Sequence, residues 1–133
     1  MRTLIYSCLL PVFLVVACKK HLPGDASLTG TWKMISYTNG FIGQTHTVPD
    51  DSLCLLSFPG DQKYQRSAAN FIEKGSYYVI NEQSIFTGKP APLLLFDNAY
   101  AFPSALLYQI RKDTLDLAMN AADAYSYRYV RTP

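Results

Sequence analysis

No stretch of this chain keeps a helical period, and its clearest pattern is an alternation of two. Near the C-terminus Tyr125, Tyr127 and Tyr129 take turns with Ser126, Arg128 and Val130, the mark of a strand with one buried face. The same rhythm returns in short runs. Thr31–Tyr37 puts Trp32 and Met34 on one face and Lys33 on the other, and Ser52–Phe58 brings Cys54, Leu56 and Phe58 into phase. Gly75–Ile80 does the same with Tyr77 and Val79. Ala105–Arg111 and Thr114–Met119 flank Lys112-Asp113, a connection of hairpin length.

The remaining segments are read from their breakers. Gln62–Ala68 is more polar and reads as an edge or solvent-facing strand. Pro59-Gly60-Asp61 and Asn81-Glu82 read as turns, and Asn70–Lys74 as a single turn at most. Asn39–Asp50 holds Gly40, Gly43 and Pro49 and reads as a long loop, a lid or flap carrying Phe41 and Ile42. Asp97–Ser104 reads as an aromatic loop with Tyr100 and Phe102. Gln83–Thr87 and Pro92–Phe96 are apolar runs parted by Gly88-Lys89-Pro90, which brings the apolar runs to nine. An antiparallel barrel closes only on an even number, so Gln83–Phe96 is read as one strand broken at Gly88–Pro92. The expected fold is all-β: one small antiparallel up-and-down β-barrel of about eight strands.

The N-terminus is read as a processing signal. Arg2 precedes an apolar run from Leu4 to Val16 that is shorter than the roughly 20 residues a spanning helix needs. Val15-Val16-Ala17-Cys18 resembles the lipobox of bacterial lipoproteins. That resemblance implies removal of residues 1–17 and a lipid, palmitate included, on Cys18. Residues 18–27 then form a polar tether and residues 28–133 the domain. Loss of Arg2 leaves eleven Lys and Arg against ten Asp and Glu, a net charge of +1. So even a balance offers no electrostatic footprint for nucleic acid. With Cys8 removed and Cys18 lipidated, Cys54 has no internal partner. The core must therefore hold the fold, and an aromatic content of 14% with ten tyrosines supplies it.

Taken in order, the motifs resemble the lipocalins (calycin-like barrels), in the form found in bacterial lipoproteins of the Bacteroidetes type. They are Gly30-Thr31-Trp32 opening the first strand, Gly75-Ser76-Tyr77, then Tyr108-Gln109-Ile110 with Asp113-Thr114-Leu115-Asp116-Leu117 as a hairpin. Tyr127-Arg128-Tyr129-Val130-Arg131 is the last. The resemblance spans roughly residues 28–131 and implies that a C-terminal arginine packs across the tryptophan at the closed end. The last strand runs antiparallel to the first, and Arg131 shares a face with Tyr127 and Tyr129, so Arg131 is the partner expected for Trp32.

Catalysis has little material. His46 with Asp50 or Asp51 and a serine lacks any nucleophile-elbow motif, Cys54 reads as a small core residue, and no metal site or cofactor is expected. The aromatics permit two readings. They fill a small barrel, or they line a cavity for a small hydrophobic or amphipathic ligand. On the second reading Phe41, Ile42, Tyr100 and Phe102 rim a mouth opposite Trp32, above an interior lined by Leu56, Tyr77, Tyr108 and Tyr127. The expectation is a non-enzymatic, monomeric, lipid-anchored protein of the cell envelope, at the outer membrane, that holds such a ligand. The alternative is an interaction module whose loops meet a protein or glycan.

Overall fold

The alternating runs pair edge to edge into one antiparallel sheet that closes on itself. A computed structural model describes residues 28–97 and 105–133. Its strands are β1 (Gly30–Asn39), β2 (Gln44–Thr47), β3 (Leu55–Gly60), β4 (Lys63–Ala68), β5 (Phe71–Gln83), β6 (Pro90–Phe96), β7 (Leu106–Arg111), β8 (Thr114–Met119) and β9 (Ser126–Arg131). Neighbours in the chain pair in turn from β3 to β9, and β9 returns to β1 from Trp32↔Arg131 to Thr38↔Ser126. Because β9 takes one whole edge of β1, β2 and β3 must share the other. β3 pairs with Gly30–Lys33 and β2 with Ser36–Asn39. The two are therefore one interrupted stave, and nine strands make a closed barrel of eight.

The even count expected from the sequence is right, but the broken stave lies elsewhere. Across the seam the three steps from Lys33 to Ser36 face eight from Thr47 to Leu55, so five residues loop out. Met34 N–H to Cys54 O and Val48 N–H to Ile35 O, both 2.9 Å, stitch the edges of that loop. Asn39–Asp50 is thus no continuous flap but a hairpin with β2 inside it. Of Gln83–Thr87 only Gln83 is in a strand, as the last residue of β5: Ser84–Lys89 is the connection between β5 and β6, closed by Ser84 N–H to Lys89 O at 2.9 Å.

Two expected turns are also absorbed into β5. Phe71–Lys74 pairs with β4, and Asn81-Glu82 pairs with Pro92 and Ala91 of β6. The stagger of a tilted barrel explains this, since β5 serves β4 over its first half and β6 over its second. Gln62–Ala68 is no edge either: β4 lies between β3 and β5, paired on both sides. The turn before it is Asp61-Gln62, both with positive φ, the backbone a two-residue type I′ hairpin requires.

The wall is also irregular between β6 and β7. Among the described residues β6 meets β7 at Leu93↔Leu107 and Leu94↔Leu106. Continuing that register would set Pro92 against Tyr108 and Pro90 against Ile110, and proline has no N–H to give. The β5–β6 hairpin leaves the wall there and folds over the outside of β7 and β8. Asn120, just past β8, holds it by accepting the Ile85 N–H at 2.9 Å and donating Nδ2 to Gln83 O at 3.1 Å. Beneath it Ser84 and Leu93 are buried, Leu93 on the face opposite its core-facing neighbour Leu94.

On the same outer face Asp116 accepts Arg128 Nε and Arg111 Nη2, each at 2.7 Å. Burial works to raise its carboxyl, but the bonds and charges of Arg128 and Arg111 prevail and hold it below its ordinary value of 3.8. A depressed folded pKa stabilises above the unfolded value and is lost as pH falls through the folded one. Asp116→Asn is therefore expected to lower the urea midpoint at neutral pH, by a margin that shrinks as the pH falls below 3.8 toward the depressed folded value. A deficit that does not shrink on acidification would mean that the ion pairs contribute nothing.

Candidate functional site

The barrel interior divides into a packed end and a polar one. At the packed end Trp32 is fully buried, and its Nε1–H donates to Leu28 O at 2.8 Å. The Arg131 guanidinium carbon lies 4.1 Å from the centre of the indole, and Arg131 Nη1 donates to Thr29 O at 2.6 Å. Gly30, with φ +127°, makes room for it: a Cβ there would stand 2.7 Å from Arg131 Nη1. Leu56 lies opposite Trp32 across the ladder and is fully buried.

Above that layer the rings interlock. Phe58 meets Tyr77 edge-on at 5.1 Å between centres, and Tyr64 meets Phe96 edge-on at 4.5 Å. Gly75 permits this, because a Cβ would lie 2.8 Å from Tyr64 Cε1 and against the Asp97 carboxylate. Leu56 and Tyr77, both expected to line a cavity, belong to this packed region.

The polar half begins with a feature that reading β4 as a solvent-facing wall hid. Arg66 is in phase with Tyr64, Glu73 is in phase with Tyr77, and the two are cross-strand partners. Both therefore face inward. Glu73 is only 4% exposed; its Oε1 accepts the Tyr64 hydroxyl at 2.6 Å, and Arg66 Nη1 stands 3.8 Å from its Oε2. Among the described residues, Glu73 Oε2 and Tyr129 Oη are buried without a hydrogen-bond partner. Buried polar atoms are almost always satisfied, so two such atoms in one interior stand out. Burial pushes the phenols of Tyr127 and Tyr129 up while Arg66 pulls both down. Burial, together with the hydrogen bond to Glu73, also raises Tyr64. Arg66 thus sits within electrostatic reach of both walls.

The end of β1 away from Trp32 carries the β1–β2 hairpin, with Phe41 79% and Ile42 57% exposed. The β4–β5 turn exposes Phe71 and Ile72 at the same end. Between these turns and the interior, Tyr37 stacks on His46 at 5.0 Å, and Tyr125 stacks on Tyr127 at 6.3 Å. His46 is thus a strand residue on β2, not a loop histidine. Tyr108 and Tyr127 are half-buried and pack against the core. Tyr100, Phe102 and Cys18 lie outside the described residues. Among the described residues no three His, Cys, Asp or Glu side chains converge as a metal site would need, and Cys54 is a half-buried free thiol. In comparisons with family models, with curated proteins and with solved structures, the chain matches none.

Proposed function

We propose that this chain is a lipid-anchored protein of the cell envelope whose barrel holds a small amphipathic ligand in the half away from Trp32. The observation that carries the reading is the inward-facing Arg66–Glu73 pair, with Glu73 Oε2 and Tyr129 Oη buried and given no hydrogen-bond partner by the described residues. A filler core has no use for these groups, whereas a ligand's polar head supplies the missing partners. Tyr127 and Tyr108 offer the ring faces for its apolar part. Native mass spectrometry of the protein purified from its host is expected to show a bound small molecule that Arg66→Met no longer retains. Retention equal to the wild type, or no adduct in either protein, would defeat the reading. A second reading, an envelope interaction module, draws on Phe41, Ile42, Phe71 and Ile72, apolar side chains exposed together at one end.

The anchor has its own test. Cys18→Ser is expected to shift the protein from the membrane to the soluble fraction and to abolish incorporation of radiolabelled palmitate. Unchanged fractionation and labelling would remove the anchor.

A further inference from the structure

The outer face of the barrel holds a groove of about 750 Å³ between the β5–β6 hairpin and the wall of β1, β9, β8 and β7. Its floor is set by register. Thr45, Thr38, Ser126, Ala118 and Leu107 are successive cross-strand partners, one from each strand, and so form a single rung. The adjacent rung runs Ser36, Arg128, Asp116 and Gln109. Both rungs point outward, because Tyr127, Leu117 and Tyr108, which alternate with them, face the core. With strands about 4.8 Å apart, a rung of five positions spans roughly 20 Å.

The chemistry along this floor is mixed in a particular way. The first rung carries hydroxyls at one end, where Thr38 and Thr45 bond to each other at 2.9 Å, and apolar groups at the other. The second carries a guanidinium, a carboxylate and an amide in a row. Asp116 is fixed by Arg128 and Arg111, each at 2.7 Å, so it needs no reordering to receive a ligand. Arg128 gives Asp116 its Nε–H, and its guanidinium carries further donors. Asp116 offsets Arg128, and Arg111 beside them leaves a net charge of only +1 among the described residues, a weak pull on a polyanion. Small floor side chains leave the space open, and Phe86, 61% exposed, stands at the lip on the hairpin.

We infer that this groove is a binding site for an uncharged oligosaccharide. A sugar chain presents a line of hydroxyls that both donate and accept, with C–H faces between them. Carboxylate, guanidinium and amide groups pair with vicinal hydroxyls through two bonds at once. The Phe86 ring offers an apolar face to a sugar's C–H side. The volume falls within the range of small-molecule sites. This site is outside the barrel and independent of the ligand proposed for the interior.

The test is amide NMR of the intact domain titrated with uncharged oligomers of glucose, mannose, xylose and N-acetylglucosamine. Saturable shifts are expected at Thr38, Ser126, Ala118 and the Ser84–Lys89 connection, with at least one oligomer series. Phe86→Ala and Asp116→Asn are each expected to weaken that binding about tenfold, a change of 1.4 kcal/mol. Asp116→Asn also removes ion pairs, so Ala118→Gln, which narrows the groove without touching them, serves as the second variant and is expected to weaken binding as well. No saturable shift with any series, shifts confined to interior residues, or full affinity in Phe86→Ala and Ala118→Gln would overturn the assignment. So would saturation of the groove by an acidic oligosaccharide or an extended peptide alone.

Discussion

Trp32→Ala is expected to destabilise the domain by about 3–5 kcal/mol, the range for removing a large buried ring. Three losses coincide in that change. The indole leaves a cavity at the closed end, Leu28 O loses its 2.8 Å donor, and Arg131 loses the ring 4.1 Å beneath its guanidinium. Trp32→Phe separates them, since it keeps a ring under Arg131 but gives Leu28 O nothing, and it is expected to cost less. Urea unfolding of both variants reads the difference. A loss below about 1 kcal/mol for Trp32→Ala, together with native tryptophan emission already red-shifted, would place the indole at the surface.

Arg66→Met is expected to cost about as much, roughly 3–5 kcal/mol, because it leaves the Glu73 carboxylate buried with no opposing charge. Tyr64 still donates to Oε1, but among the described residues Oε2 has no hydrogen bond, and the Arg66 guanidinium stands 3.8 Å from it. Replacing the pair together, Arg66→Met with Glu73→Leu, removes both charges from the interior and is expected to recover most of that loss. Denaturant melts of the wild type, the single and the double variant measure it. The comparison also bears on ligand binding. If the pair only holds the walls together, the recovered double variant keeps any bound molecule; if it meets the ligand, the double variant is stable and empty. A single variant as stable as the wild type would show that the pair is not a buried charge couple.

The alternation in the chain was enough to specify most strands and, where the alternating residues are apolar, the side each one turns inward. Trp32, Leu56, Tyr77, Tyr108, Tyr127 and Tyr129 all lie on the core face, because a half-buried strand cannot slip by one residue without exposing its whole apolar set. The Lys112-Asp113 turn was equally legible, since it joins two runs of matching phase. Parity required an even number of staves, so two of the nine runs had to be one, yet parity cannot say which stave is broken. That depends on β9 occupying one edge of β1 and leaving β2 and β3 the other.

What the chain alone withheld follows from the same limit. Alternation marks an inward residue only when it is apolar, so Arg66 and Glu73 looked like solvent-facing polar positions until both neighbours of β4 were in place. The hairpin over the outer face depends on prolines that break one ladder and on Asn120, which lies 37 residues from Gln83. The rungs beneath it exist only in register, where residues from five strands stand side by side. Local sequence sets the period of a strand; closure of the barrel sets its neighbours, and in this molecule the neighbours make the sites.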